Sequence, residues 1–299
     1  MAEPMSEMAA FLDSGLDTSS DELTAEEAAA FLEWNQQMHG SDEVDLVAFS
    51  RFLVQHDPVG LKRLRRHIMT IDSPPEGRGL PIGAAVLMWA FSYCVLGNKE
   101  GTLYEVIAAR ELGASKREVV DLFRLAGYVG GPLALNAAAA LTADYLDAWT
   151  PTGNEGLPWP DGWNPDPSAF ATGIDPSTDE LSATELARMN DWHRRVYGEP
   201  PAHIAVVARW HPSALKTMRL RYEAAMSSTA LPARLLPLLL LHAESLRGRS
   251  LPTRRAARLA RHLGCEPQQV LGTILWASVY GGDAALEPAL RAVGDVLDE

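Results

Sequence analysis

The chain of 299 residues carries 39 Asp and Glu against 26 Lys and Arg, a formal net charge of −13, and 47% of it is hydrophobic. That balance excludes disorder throughout, and it speaks against general nucleic-acid binding, which needs a basic surface to displace counterions from phosphates. Twelve of the acids fall within residues 1 to 50, where no Lys or Arg occurs, so the rest of the chain is nearly neutral. Cys94 and Cys265 offer neither a disulfide framework nor zinc-ligand spacing, and the first residues lack the basic and apolar blocks of a secretory signal; a reducing, cytoplasmic location is expected.

In chain order, Thr24-x-x-Glu27 is a capping box that starts a first helix. Apolar periodicity predicts further helices over 58–70, 82–96, 102–112, 116–128 and 133–148. Leu80 to Gly97 is uncharged for 18 residues, near the lower limit of a bilayer span. It is read as a buried helix, because it contains Pro81 and Gly83 and because its counterpart later in the chain contains Arg234, His242, Glu244 and Arg247. Residues 150–168, rich in Pro, Gly and Trp, read as a linker, and Ser182-x-x-Glu185 is a second capping box.

That counterpart belongs to a long internal repeat. Gly15-Leu-Asp-Thr-Ser-Ser-Asp-Glu-Leu matches Gly173-Ile-Asp-Pro-Ser-Thr-Asp-Glu-Leu at an offset of 158, and Pro58 and Lys62 match Pro212 and Lys216 at 154. From Leu80 the offset is 151 without a gap, with 19 identities over the 69 positions to the C-terminus, Gly130-Gly131 on Gly281-Gly282 among them. No segment shows strand alternation. The expected architecture is all-α: a first helical domain over 1–149 with an acidic N-terminal extension, a linker over 150–168, and a second, diverged domain over 169–299.

Two segments carry a family likeness. Gly97-Asn-Lys-Glu-Gly-Thr-Leu-Tyr-Glu105 and, after a helix, Tyr128-Val-Gly-Gly-Pro-Leu-Ala-Leu-Asn136 resemble the carboxymuconolactone decarboxylase family, which belongs with the alkylhydroperoxidase D-like proteins. Gly97, Glu100, Tyr128, Gly130, Pro132, Ala134, Leu135 and Asn136 match the family pattern. The likeness implies two tandem alkylhydroperoxidase D-like helical domains, homo-oligomers, and pockets at helix interfaces. It also shows departures. Where the peroxidase branch has Cys-x-x-Cys and a following His, this chain has Asn98, Gly101 and Glu105, and in the second copy Arg249, Pro252 and Ala256. Thiol peroxide reduction needs an activated thiolate and a resolving thiol, so that chemistry is excluded in both copies. The decarboxylase branch also expects His where Glu105 stands.

Glu105 is the sharpest candidate for proton transfer, since its family position lines the pocket and a desolvated carboxyl has a raised pKa. Thr102-x-x-Glu105 is equally a capping box. Glu100 either shares a proton with Glu105 or is a loop carboxylate neutralised by Lys99. His242, interrupting a run of leucines, is either a hydrogen-bonded core residue or a base. Tyr93, Tyr104 and Tyr128 are core aromatics or phenolic donors to substrate, with Asn98 and Asn136 as further substrate contacts. Arg249 is the candidate anchor for a substrate carboxylate. The arginines at 254, 255, 258 and 261 form either a solvated face or an anion-binding one. Histidine spacing supports no metal site, and no cofactor is expected.

These readings combine into a cofactor-independent lyase or isomerase acting by proton transfer, and possible decarboxylation, on a small carboxylated, lactone or polycyclic metabolite. The alternative is a non-catalytic scaffold or small-molecule binding protein. An open cavity holding Glu105 and converging tyrosines favours the enzyme; a closed, dry core favours the alternative. The expected partners are the small-molecule substrate and further copies of the chain, with neither nucleic acid nor membrane. The acidic N-terminal edge is expected to meet the arginine-rich surface of the second copy, within a chain or between chains.

Overall fold

In the computed structural model, which describes residues 13–41, 44–72, 79–153 and 155–298, the described residues form twelve helices and no strand. In the first half these are α1 (Ala25–His39), α2 (Ala48–His56), α3 (Pro58–Asp72), α4 (Ile82–Leu96), α5 (Lys99–Glu111) and α6 (Lys116–Ala148). The second half repeats the order with α7 (Ala183–Tyr197), α8 (Ala202–Trp210), α9 (Pro212–Met226), α10 (Leu235–Leu246), α11 (Ser250–His262) and α12 (Pro267–Asp298).

The same local devices start and break helices in both halves. Thr24 with Glu27 and Ser182 with Glu185 form complete capping boxes. Each Glu continues beyond its cap: Glu27 accepts from the Asp17 amide and Glu185 from the Asp175 amide. Each also meets a fully buried lysine. Lys62 pairs with Glu27 and donates to the Asp17 carbonyl at 2.7 Å, while Lys216 lies 2.9 Å from Glu185 and donates to the Glu180 carbonyl at 2.8 Å. The segments expected at 116–128 and 133–148 are one long helix, broken at Gly131 (φ 70°, ψ −162°), and α12 breaks at Gly282 (φ 58°, ψ −156°). Both φ values lie where a side chain is strained, which accounts for glycine at each.

The uncharged stretch is α4, buried at every position except Tyr93 and Leu96. It packs against α5 and α6 of its own half and against α10 of the other, so one continuous core runs through both halves. No single helix among the described residues is long and apolar enough to cross a membrane; the two arms of α6 pass that test only together, bent by 92°.

The linker is a packed strap. The buried Glu118 carboxylate accepts from the Trp159 indole at 2.9 Å and from the Leu157 amide at 3.3 Å, and Trp163 and Phe170 are buried in the shared core. A Cβ at Gly83 would lie 3.1 Å from Leu157, so the absence of a side chain there lets the strap lie close on α4.

Among the described residues, three acids of the N-terminal edge pair with cations of their own half. Asp21 pairs with Arg63 and Arg66, Glu27 with Lys62, and Asp45 with Arg51. In the second half Arg188 donates to the Gly173 carbonyl and Arg194 pairs with Asp191.

Candidate functional site

A cavity of about 480 Å³ opens between α1, α2 and α3, the Tyr93 end of α4, the start of α5, and α12 of the second half. Its size suits a small organic ligand. The wall is strongly aromatic: Trp34 and Phe31 from α1, Trp89 and Tyr93 from α4, Tyr104 from α5, and Trp276 and Tyr280 from α12. Trp89 and Trp276 meet across the seam between the halves, with ring centroids 4.7 Å apart.

Glu105 lies on the inner face of α5, 2% exposed. Its capping role is overturned. The helix starts a turn earlier than expected, at Lys99, because the Asn98 side chain accepts from the Gly101 amide at 2.7 Å. Thr102 spends its hydroxyl on the Asn98 carbonyl. Glu105 is therefore left inside the helix, facing the cavity, where burial pushes its pKa well above the ordinary carboxyl value, an effect only partly opposed by the Tyr280 hydroxyl within hydrogen-bonding reach. The carboxyl therefore keeps its proton to higher pH than an exposed glutamate does. Its Oε2 is buried with no protein partner.

Tyr280 and Tyr93 meet edge-on at 5.3 Å, their hydroxyls close enough to influence each other. Burial, followed by the nearby Glu105 carboxyl, raises the pKa of Tyr93, Tyr104 and Tyr280, so all three are neutral donors. Tyr280 keeps 37% of its surface accessible although dense protein surrounds it, as expected of a residue lining a cavity. Tyr104 is clamped: its hydroxyl accepts from Asn35 Nδ2 at 2.9 Å and its ring stacks on His39 with centroids 3.6 Å apart. Burial lowers the His39 pKa to about 3, so the imidazole is neutral. Arg65 stacks its guanidinium on Trp34 at 4.8 Å, and burial brings its pKa down to about 10.

The other expected site residues divide. Asn98 and Glu100 line the rim, but Asn98 is the helix cap and Glu100 is exposed and paired with Lys99 at 3.5 Å. The structure thus does not join Glu100 to Glu105 as a two-carboxylate site. His242 is fully buried behind the cavity wall, its Nδ1 2.6 Å from Ser92 Oγ of α4, and burial takes its pKa to about 3. It lies outside the cavity lining, though its ring faces Tyr280 edge-on at 6.1 Å. Arg249, 55% exposed, pairs with Glu244 and is not in the lining. Tyr128 packs against Tyr222 in the other half, and Asn136 is exposed beyond the Gly131 break. Three arginines of α11 are engaged within the chain: Arg254 with Asp295, Arg258 with the Tyr197 carbonyl, and Arg261 with the Cys265 carbonyl. Both cysteines are buried, with burial pushing each thiol up to about 12.

No family model, no curated protein and no solved structure matches this chain.

The repeat offsets bring one contrast into view. Arg65 on Trp34 recurs as Arg219 on Trp192, 4.1 Å from the ring. Where the first half has Ile68 on the cavity wall, the second has Tyr222, whose ring packs against Trp192 at 5.9 Å and Tyr128 at 5.7 Å. At this position of the second half aromatic rings pack on one another, where the first half has an aliphatic side chain on an open wall. Sequence reasoning missed Tyr280, Trp276, Asn35, His39 and Arg65. Only the position of Tyr280, directly before the Gly281-Gly282 break, carried a signal in the chain.

Proposed function

We propose that the chain is a diverged, tandem carboxymuconolactone decarboxylase-like protein, and that it is a cofactor-independent acid/base enzyme of the lyase or isomerase type. The observation that carries this reading is the placement of a buried Glu105, its pKa raised by that burial, beside the Tyr280 and Tyr93 hydroxyls on the wall of a ligand-sized cavity. As a carboxylate Glu105 takes a proton from the carbon next to a carbonyl, and as the acid so formed it returns one to that carbon when the enol, or the carbanion left by decarboxylation, collapses. Tyr280 and Tyr93 stabilise the enol oxygen. The family position of Glu105 lines the pocket, which supports the same assignment, and the decarboxylase branch has His there, so its own reaction is not carried over.

Arg249 lies outside the lining, which removes the expected anchor for a substrate carboxylate. Leu133 and Leu135, exposed beyond the Gly131 break, support the homo-oligomer that the likeness implies, which sedimentation at two protein concentrations would test.

The experiment is hydrogen exchange on a model ketone. With 2-tetralone in D2O, the protein is expected to speed deuterium incorporation next to the carbonyl, read by proton NMR, and Glu105→Gln is expected to remove about two orders of magnitude of that acceleration. Equal exchange by wild type and Glu105→Gln would show that Glu105 does not move the proton.

A further inference from the structure

We infer that the cavity selects a planar, uncharged aromatic ligand bearing a carbonyl and a hydroxyl, and that it discriminates against the corresponding carboxylate. This rests on the acid/base reading for its location but not for its logic, which concerns binding alone.

Besides Arg65, whose guanidinium stacks on Trp34, three side chains of the wall carry a buried polar atom without a hydrogen-bond partner in the protein: Glu105 Oε2, Asn35 Oδ1 and Trp89 Nε1. Each of these residues is at least nine-tenths buried. A buried polar atom left unsatisfied costs free energy that a ligand group of matching kind recovers. The three define that kind: the Trp89 indole donates, Asn35 Oδ1 accepts, and the Glu105 carboxyl, which burial favours in its acid form, can do either. A ligand with one carbonyl and one hydroxyl has the complementary set.

The charge on the wall agrees. Its one Lys or Arg side chain is Arg65, already stacked on Trp34, and the rim carboxylates Asp45 and Glu100 are paired with Arg51 and Lys99. An anion would lose its hydration in a site whose one cation is already engaged, which is expensive. Shape comes from Trp34, Trp89, Trp276 and the Tyr104–His39 stack, flat faces that favour a flat ligand.

The discriminating probes are 2-acetyl-1-naphthol and 1-hydroxy-2-naphthoate, which share the ring system and hydroxyl and differ in replacing an acetyl by a carboxylate. Calorimetric titration of the full chain at pH 7.5 is expected to show one site for the neutral probe, with the carboxylate at least about tenfold weaker, a difference of about 1.4 kcal/mol. Ile68→Tyr, which places in the first half the residue that stands at the equivalent position in the second, is expected to weaken the neutral probe at least about tenfold; should that variant not fold, Val279→Phe on the same wall replaces it.

Carboxylate binding that equals or exceeds neutral binding would overturn the inference, as would no measurable binding of the neutral probe, or binding that persists unchanged when the cavity is filled. The two readings fail separately. Ketone exchange that survives Glu105→Gln, with neutral selectivity intact, removes the proton-transfer role only; reversed selectivity with Glu105-dependent exchange removes the ligand class only.

Discussion

Tyr280, two residues before the break in the last helix, places its hydroxyl within reach of the Glu105 carboxyl in the fifth, across the seam between the two halves of the chain. α12 lies against the first half, so the second half completes the cavity wall with Trp276, Val279 and Tyr280. The site therefore has walls from both halves of the chain.

Tyr280→Phe tests that geometry. The hydroxyl lowers the Glu105 pKa, so its loss raises that pKa further and removes a donor from the developing enol oxygen. Exchange on 2-tetralone is expected to fall by about tenfold to a hundredfold, with the acid limb of its pH profile moving to higher pH. A rate loss without that movement would mean that Tyr280 acts on the substrate alone.

Glu105 also makes a prediction about stability. Its folded-state pKa is raised, so its contribution to stability is present below the ordinary carboxyl value of 4.5 and is lost as pH rises toward the folded pKa. Glu105→Gln removes that loss. The variant is expected to melt several degrees above wild type at pH 7.5 and nearly with it at pH 4.5, the stability traded for function at a buried acid. Differential scanning calorimetry at the two pH values decides; a variant less stable at pH 7.5 would show that the carboxyl is not held protonated.

Sequence pattern exposed the local devices and left the tertiary ones hidden. The two capping boxes, the buried α4 helix and the paired glycine breaks follow from spacing over a few residues, which a chain displays directly. Asn98 was read as a substrate contact and is the cap that frees Glu105 from capping, a difference of one turn in where α5 begins. His242 stood out in its leucine run, yet its partner Ser92 belongs to a helix of the other half. Trp276 and Tyr280 could not be placed, because nothing local says which face of α12 meets the first half.

The pH dependence of stability should have two stages. His39, His193 and His242 are each lowered to about 3 from 6.5, chiefly by burial, so the stability they confer is full above 6.5 and is lost as pH falls toward 3. Each can contribute up to about 1.4 kcal/mol per pH unit over that range. Glu27 and Glu185, held at about 2 by hydrogen bonds from their lysines and backbone amides, add a second decline below 4.5. Denaturant unfolding from pH 8 to pH 3 is expected to show stability falling from about pH 6.5; a flat curve down to pH 5 would contradict the buried neutral histidines.

Gly101 faces the ring of Tyr93, where a Cβ would lie 2.5 Å from Cδ1. Gly101→Ala should push Tyr93 away from Tyr280 at a cost of about 1–3 kcal/mol. Exchange on 2-tetralone should drop with little change in helix content by circular dichroism. The second half has Pro252 at the equivalent place and Glu244 in place of the tyrosine, consistent with a close approach needed only in the first.

The buried lysine and carboxylate pair is the device the two halves share most fully, and the two copies can be compared within one molecule. Lys216 has its ammonium satisfied by Glu185, Thr178 and the Glu180 carbonyl, and the Glu185 carboxylate in turn caps α7 and holds the Asp175 amide. Lys216→Met therefore leaves a carboxylate without its cation, and Glu185→Gln leaves an ammonium without its anion; each is expected to lower the melting temperature by several degrees. The double variant Glu185→Gln, Lys216→Met removes both charges together and should melt above the sum of the single losses. Lys62→Met and Glu27→Gln should reproduce the pattern in the first half, with the added effect that α1 and α3, which line the cavity, loosen and weaken 2-acetyl-1-naphthol binding. Strict additivity of the single losses in either half would show that the pair does not act as a unit.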